Sequence, residues 1–168
     1  MPIISTDILF HLSGGAANTD VNASLGGAKS STAVGTGLHN LFDVVSSAEA
    51  SAGDTEYRCI YVHNNHGTLT MQASKIWIAT NTPSTDTSVE IGLGSSAING
   101  TEQTVANETT APTGVTFSAP ASAGAALSIG DIPAGQHKAI WIKRIVNTGA
   151  AAYNSDGATI TVSCDTAA

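Results

Sequence analysis

The chain has 168 residues and a formal net charge of −7, and only 11% of its residues are Asp, Glu, Lys or Arg. That length predicts a single domain, residues 1–168, with enough chain to bury a core without disulfides or metal. A typical soluble domain carries about 25% charged residues, so uncharged small and polar residues must cover much of this exterior. Few charges remain to keep neighbouring subunits apart, which favours close packing in an assembly.

The charge balance also excludes classes of partner. Only six Lys and Arg residues are present, whereas a surface that binds phosphates needs clustered basic residues to release counterions. The doublet Lys143-Arg144 is interpreted as the solvated end of a strand. No segment approaches the ~20 apolar residues that cross a bilayer, and residues 1–12 lack the features of a signal peptide. We expect a soluble chain without an export signal and without a nucleic-acid or membrane partner.

The first strand is predicted within residues 3–12, because Ile8, Phe10 and Leu12 share one parity and one face. Residues 13–37 then form a long Gly- and Ser-rich segment with few large apolar residues. We expect an extended arm or loop here, ordered by another subunit if it is ordered at all, since it has little apolar surface of its own to bury. Leu38, Leu41, Phe42 and Val45 fit a short amphipathic helix, and "NLFDVV" fits a short strand almost as well.

The middle of the chain is predicted to be β-rich. Residues 57–63 and 68–80 are interpreted as a hairpin, with Gly67 supplying the positive φ of its turn. Residues 46–55 read as a loop. Alternation predicts a strand at "SVEIGLG" and a short strand at "GVTFS", separated by a polar connection over 95–112. The segment "PASAGAALSIGDIPAG" is expected to be irregular.

Two strong strands end the chain, over residues 137–146 and 158–164. In the second, Ile160, Val162 and Cys164 face one way and the intervening polar residues face the other. The total of about seven short strands with little helix predicts an all-β fold, either a sandwich or a barrel.

The two tryptophans and two cysteines have structural interpretations. Ile-Trp-Ile occurs at 76–78 and at 140–142, and we expect both indoles to anchor a core between two sheets. Exposed Trp77 and Trp141 that bind sugar or a partner are the alternative. Cys59 and Cys164 are expected to be free, buried thiols, because Val162 stands where an immunoglobulin domain has its conserved Tyr.

No motif for chemistry stands out. His63 and His66 offer two metal ligands where sites prefer more, "NSDG" at 154–157 lacks the later ligands of a calcium loop, and the glycine pairs at 35–37 and 92–94 lack a third glycine. The acidic residues are scattered over loops and strand ends, and no Ser elbow is present. We therefore expect no catalytic, cofactor-binding or metal residue, no cofactor and no enzymatic activity. The acids considered were Asp43, Glu49, Asp54, Glu56, Glu90, Glu102 and Glu108.

Two long stretches resemble small virion structural proteins of tailed bacteriophages. They are "GDTEYRCIYVHNNHGTLTMQASKIWIATNT" and "IGDIPAGQHKAIWIKRIVNTGAAA", and the opening "STDILFHLSGGAANTD" also looks like the start of such proteins. In that family a Tyr-Arg strand and an Asn turn precede a Lys-x-Trp-Ile strand. Later an Ile-Pro-x-Gly-Gln turn leads into a second Trp-bearing strand. The resemblance covers most of the chain but includes no catalytic motif.

The resemblance implies a single antiparallel β-sandwich, immunoglobulin-like or jelly-roll-like, with long Gly/Ser-rich arm and loops. It implies a capsid decoration, or cement, protein that assembles in the bacterial host cytoplasm and lies on the virion capsid surface. The implied partners are the major capsid protein and further copies of the chain itself. A tail or neck component of the virion and a carbohydrate-binding sandwich are the alternative functions.

Overall fold

The computed structural model describes residues 2–166. Two short 3₁₀ turns, Ser5–Asp7 and Val21–Ala23, accompany one helix and seven strands within that range. In chain order the elements are β1 (Ile8–Leu12), α1 (Ser47–Ala52), β2 (Asp54–Asn64), β3 (Met71–Thr80), β4 (Thr87–Leu93), β5 (Leu127–Ile132), β6 (His137–Val146) and β7 (Thr159–Thr166). Among the described residues, no helix has the length and apolarity required to cross a membrane.

The strands form two antiparallel sheets, which confirms the predicted all-β sandwich. The first sheet has four strands in the order β1-β2-β6-β4, and the second has three in the order β5-β3-β7. Apolar side chains of both sheets meet between them, and β2, β4 and β6 supply these side chains from alternate residues. The buried members of this inter-sheet core are Ile60, Val62, Met71, Ile76, Ile78, Val89, Ile91, Ile129, Ile132, Ile140 and Ile142.

The predicted hairpin is wrong. β2 pairs with β1 and β6, whereas β3 pairs with β5 and β7, so the two strands lie in different sheets. Residues 65–70 form an arch that crosses from one sheet to the other. Gly67 is not among the glycines with positive φ, because an arch does not need the tight reversal of a hairpin turn. Asn64 holds the arch by donating to the carbonyls of Leu69 and Ile132, each at 2.8 Å.

Two neighbouring segments differ from their predictions: the predicted short strand is irregular, and the segment predicted to be irregular contains a strand. "GVTFS" contributes only a single bridge, from Ser118 to Ile91. The stretch expected to be irregular contains β5, whose Ile129 and Ile132 are buried in the core. β5 is short and its register against β3 shifts, which explains why its alternation was weak in the sequence.

The region before β2 also differs from its prediction. Residues 38–45 are bends and turns without regular structure, and α1 lies where a loop was expected. A capping box begins α1: the Ser46 hydroxyl accepts from the Glu49 backbone, and the Glu49 carboxylate accepts from the Ser46 backbone. Ser-x-x-Glu is a sequence signal for a helix start, so α1 was recognisable in advance.

The segment expected to need another subunit is ordered by its own chain. Residues 30–34 run beside β1, where Ser30 donates to the Leu12 carbonyl at 2.8 Å and Val34 donates to the Phe10 carbonyl at 2.8 Å. Further along the sheet, Cys59 of β2 donates to the Ser24 carbonyl at 2.7 Å. Backbone hydrogen bonds replace the apolar burial that this segment lacks, so residues 13–37 are a folded loop and not a free arm.

This loop and residues 95–118 together cover the outer face of the four-stranded sheet, and we call them the outer cover. The close approach depends on glycine: a Cβ on Gly92 or Gly94 would collide with Val115 or with Glu102, respectively. The "GLG" motif of β4 is therefore explained by packing. A second apolar cluster fills the space under the outer cover, with Cys59, Tyr61, Val105, Ala139 and Trp141 as its buried members.

The prediction that both tryptophans lie between the sheets is wrong. Ile76 and Ile78 point into the inter-sheet core, so Trp77 faces outward and is half-buried. The same alternation turns Trp141 outward from the four-stranded sheet, where the outer cover buries it completely.

Both cysteines are free, as predicted. Cys59 is buried under the outer cover, and burial raises the pKa of its thiol. Cys164 lies on β7 and is half-buried against the inter-sheet core, so the expectation of burial holds fully only for Cys59.

The Tyr61 hydroxyl joins the two segments of the outer cover. It donates to the Gly27 carbonyl at 2.6 Å and accepts from the Glu102 backbone N–H at 3.0 Å. Gly27 in turn donates to the Glu102 carbonyl at 3.1 Å. Burial raises the pKa of Tyr61 to about 12, which keeps the hydroxyl protonated and able to make both bonds.

Replacing Tyr61 with Phe should therefore lower the free energy of unfolding by about 1–3 kcal/mol, because a partly buried carbonyl and a buried N–H lose their partner. Urea unfolding at neutral pH measures the change. Tyr57→Phe is the matched control: this half-buried ring packs on Phe117 and its hydroxyl has no hydrogen bond to residues 2–166, so its effect should stay within about 0.5 kcal/mol. Equal effects of the two variants would contradict the role of the Tyr61 hydroxyl.

Candidate functional site: an apolar cleft at one end of the sandwich

A cleft of about 950 Å³ opens at one end of the sandwich. Its walls are two connecting segments, residues 37–47 and 149–158, and Val89, Ile142 and Ile160 reach it from β4, β6 and β7. Because these strands belong to both sheets, the cleft continues the space between the sheets out to the surface. The volume is in the range of ligand-sized pockets.

The mouth of the cleft is apolar and exposed. Leu38, Val44 and Tyr153 line it and are 56%, 64% and 54% exposed. Only one other large apolar side chain within residues 2–166 is comparably exposed, namely Ile4. Scattered exposed apolar residues need no explanation, but a group of them around one concave site is typical of an interaction surface.

A stack of charged and aromatic groups holds one wall in place. The guanidinium groups of Arg58 and Arg144 both make cation–π contacts with the Phe42 ring, at 5.4 and 4.9 Å from its centroid. Arg144 also forms ion pairs with buried Glu56 and, at 3.3 Å, with Asp43 on the same wall. Each cation–π contact contributes roughly 0.5–1 kcal/mol, so the wall segment is anchored at its centre while its apolar side chains remain exposed.

Glu56 has a structural role in this anchor. Its side chain is 1% exposed, and burial raises the pKa of the carboxyl, while the Arg144 guanidinium acts in the opposite direction. The doublet Lys143-Arg144 is thus not a solvated strand end, which corrects the prediction. Lys143 pairs with Glu90 at 2.9 Å on the other face of the sheet, and the two basic side chains are only 22% and 12% exposed.

The second wall is held by Asp156, from the "NSDG" stretch. Its carboxylate accepts from the Ser84 backbone at 3.1 Å and from the Thr87 hydroxyl, so it ties the wall to the loop before β4. The Asp156 carboxylate therefore has a structural role, because it connects the second wall to the loop before β4. No oxygen cage of the kind that binds calcium is formed around it by these contacts.

The other acidic residues considered in the sequence are distributed over separate structural roles. Glu49 caps α1, Glu90 pairs with Lys143, and Glu108 pairs with Arg58 at 2.5 Å. Asp54 accepts a local backbone bond at the start of β2. Of that set, only Asp43 lines the cleft, where it pairs with Arg144, so the fold brings no two of the predicted acids together there.

Glu102 is the most strongly perturbed acid, and it lies in the outer cover, away from the cleft. Burial by itself raises the pKa of its carboxyl, but hydrogen bonds from Ser96 and Ser95 outweigh burial and bring the pKa down to about 2. The donors are the two backbone N–H groups, at 2.9 and 3.2 Å, and the Ser95 hydroxyl at 2.9 Å. The carboxylate thus fixes the turn that follows β4.

Three histidines gather on the outer face of the four-stranded sheet. His11 on β1, His63 on β2 and His137 on β6 form a chain, with ring centroids 5.2 and 6.5 Å apart. His11 is buried, and neither of its ring nitrogens has a hydrogen-bond partner within the described residues. Burial lowers the pKa of all three rings, and the charge of Lys29 in the outer cover lowers it further.

The two histidines of the His-x-x-His motif, His63 and His66, have different structural roles. His63 belongs to the histidine chain, where its Nδ1 lies 3.1 Å from the Gln136 carbonyl. The Nδ1 of His66 accepts from the backbone of Thr68 and Leu69 and so shapes the arch. Nowhere in residues 2–166 do three His, Cys, Asp or Glu side chains come together in a way that could hold a metal ion.

The sequence prediction named none of the cleft's exposed apolar residues, Leu38, Val44 and Tyr153, as site residues. A signal was present, since Tyr153 is a lone aromatic residue inside a connector of small and polar residues. Val44 had no such signal, because a run of apolar residues does not show which of them a fold leaves exposed.

Comparison with known proteins identifies no relative: no family model, no curated protein and no solved structure matches this chain.

The histidine chain predicts a pH dependence of stability. Burial, Lys29 and the neighbouring His11 and His137 lower the pKa of His63 from 6.5 to about 4, so the folded state binds a proton less readily than the unfolded state. The free energy of unfolding should therefore fall as the pH falls from about 6.5 toward 4, because protons then favour the unfolded chain.

His63→Gln should flatten this dependence, since the amide can still donate to the Gln136 carbonyl but does not titrate. Urea unfolding at several pH values from about 7 to about 4, a range that includes the ordinary histidine pKa, measures the slope. His39→Asn, an exposed position with φ of 60° outside the chain of rings, is the control and should leave the slope unchanged. An unaltered slope in His63→Gln would contradict the prediction.

Proposed function

We propose that this chain is a non-enzymatic structural protein of a tailed-bacteriophage virion, and that it decorates the capsid surface as a cement protein bound to the major capsid protein. The proposal is supported by the resemblance of its strand and turn motifs to such proteins. The all-β sandwich agrees with the fold that the resemblance implies.

The apolar cleft mouth is the single observation that carries the proposal. Leu38, Val44 and Tyr153 are exposed around a concave surface, and a protein that works alone has no use for such a patch in water. Burial of these three side chains against a partner would remove apolar area from water at roughly 25 cal/mol per Å². The carboxylates that line the cleft are engaged in the fold, which favours a docking role over a catalytic one.

The weakly charged surface supports the same role. With only 11% charged residues, seven of which form ion pairs within the fold, the chain meets little electrostatic resistance when it packs against a dense protein lattice. Specific interfaces bury about 1,200–2,000 Å² in total, so the cleft mouth would be the centre of a larger contact that includes its rims.

The carbohydrate-binding alternative loses its main support. It required exposed Trp77 and Trp141, but Trp141 is fully buried under the outer cover and Trp77 is half-buried. A tail or neck role uses the same docking surface, and the location of the protein in the particle separates it from capsid decoration.

The first experiment is immunogold labelling of intact phage particles that contain the protein, together with its copy number per particle. The proposal expects label on the head and hundreds of copies, as a lattice decoration requires. Label confined to the tail with about a dozen copies would favour the alternative virion role. Particles without any label would contradict both.

The second experiment tests the cleft. Deletion of residues 1–37 is unsuitable, because it removes β1 and half of the outer cover. Val44→Asp instead places a charge at the exposed mouth and should weaken binding to heads stripped of the protein by at least about tenfold, as expected for a central contact. Ala79→Asp, at an exposed position of β3, is the matched control and should bind normally. Equal binding of both variants would reject the cleft as the docking site.

A further inference from the structure

The edges of the two sheets are protected unequally. An edge strand presents unpaired N–H and C=O groups to any other strand, so native proteins cover, shorten or interrupt their edges. The edge strands here are β1 and β4 in one sheet and β5 and β7 in the other.

Three of these edges are protected. Residues 30–34 bond along β1, and Ser118 exchanges two backbone hydrogen bonds with Ile91 on β4, at 2.8 and 3.0 Å. β5 has six residues, and its pairing is interrupted around Gly130, which has φ of 89°. A partner strand would find no regular ladder on any of them.

β7 has neither a covering segment nor a bulge of its own. Its pairing with β3 shifts register twice, but both times the extra residue lies in β3. β7 has eight residues, contains neither Pro nor Lys, and carries a single charge, Asp165. Within the described residues its backbone bonds only to β3, so its other side is an open ladder about 27 Å long at ~3.4 Å per residue.

We propose that β7 pairs antiparallel with β7 of a second copy of this chain and joins the two three-stranded sheets into one continuous sheet. Self-association through this edge follows from the fold alone and does not depend on the virion role proposed above.

The strand is complementary to itself. A two-fold axis perpendicular to the sheet keeps both inner faces on the same side, so residues of equal parity must face each other. With Val162 on the axis, Ile160 faces Cys164 of the other copy and extends the apolar row of the core. On the outer face Thr161 meets Ser163, and Thr159 meets Asp165. Such pairs stabilise antiparallel strands, and no like charges face each other.

An exposed apolar side chain marks one end of the same edge. The Ile3 backbone donates to the Thr166 hydroxyl at 3.3 Å, which places Ile4 beside the end of β7, and Ile4 is 53% exposed. In the antiparallel pair the beginning of the other copy's β7 arrives at this end. Ile4 would then be covered, which gives a reason for its presence on the surface.

The pairing leaves the clefts free. Ala158 and Ile160 line the cleft near the beginning of β7, so the two clefts of a dimer lie at opposite ends of the joined sheet. If the capsid role is correct, the dimer is a bivalent ligand, and two linked weak contacts hold a lattice more tightly than either contact alone.

Sedimentation of the purified protein over a range of concentrations tests the proposal, with no capsid present. We expect the wild-type chain to dimerise below ~1 mM. Ser163→Lys should weaken dimerisation at least about tenfold, because the two new ammonium groups become diagonal neighbours across the axis. Ala79→Lys adds the same charge to an exposed position of the central strand β3 and should dimerise as the wild type does.

Amide hydrogen exchange of the wild-type chain supplies a readout that needs no variant. The β7 amides should gain protection as the concentration rises, while those of β1 should not. A wild-type chain that stays monomeric, or a dimer that shows neither β7 protection nor sensitivity to Ser163→Lys in a folded variant, would overturn the proposal. Either result would leave the capsid role standing, just as unlabelled particles would leave the dimer standing.

Discussion

The four-stranded sheet is buried on both of its faces, and the rest of the structure depends on that constraint. One face packs against the three-stranded sheet. The other face carries the second apolar cluster, including Trp141, Tyr61 and Cys59, which must also be buried. A chain with one helix of six residues has no helix to lay over this face. Long irregular segments must do so, and their backbone groups then need partners of their own.

The outer cover meets this need with polar contacts in place of apolar burial. The Tyr61 hydroxyl joins its two segments, and the Glu102 carboxylate fixes a turn through three hydrogen bonds from Ser95 and Ser96. Buried polar groups of this kind stabilise a fold only when they are satisfied. The histidine chain has unpartnered ring nitrogens on His11, so it is where we expect acid to act first.

The ends and edges of the sandwich are where this covering stops. At one end two short segments leave the inter-sheet space open as an apolar cleft, and along one side β7 has an edge that no strand within residues 2–166 pairs with. Both features are unfavourable for an isolated protein and favourable for a subunit of an assembly. Together with the low fraction of charged residues, they are the observations on which the proposed structural role depends.

Much of the secondary structure was determined locally by the sequence. Alternating apolar residues predicted β1, β4 and β7, because a period of two shows which face of a strand is buried. The capping box of Ser46 and Glu49 is a sequence signal for the start of α1, although a loop was predicted there. The unbroken apolar run through Cys59 and Val62 was also informative, since a strand buried on both faces does not alternate.

Only the tertiary structure decided how these elements combine. Whether β2 and β3 form a hairpin or an arch depends on pairing with strands more than 50 residues away, such as β6, and local periodicity carries no information about such partners. The same holds for Trp77 and Trp141: alternation places each indole opposite its flanking isoleucines, but only the fold shows that the isoleucines face the inter-sheet core. It also holds for Val44, whose exposure depends on where two distant loops end. Sequence patterns show which side chains each strand buries. The tertiary structure decides what those side chains pack against and which apolar side chains stay exposed as the candidate functional surface.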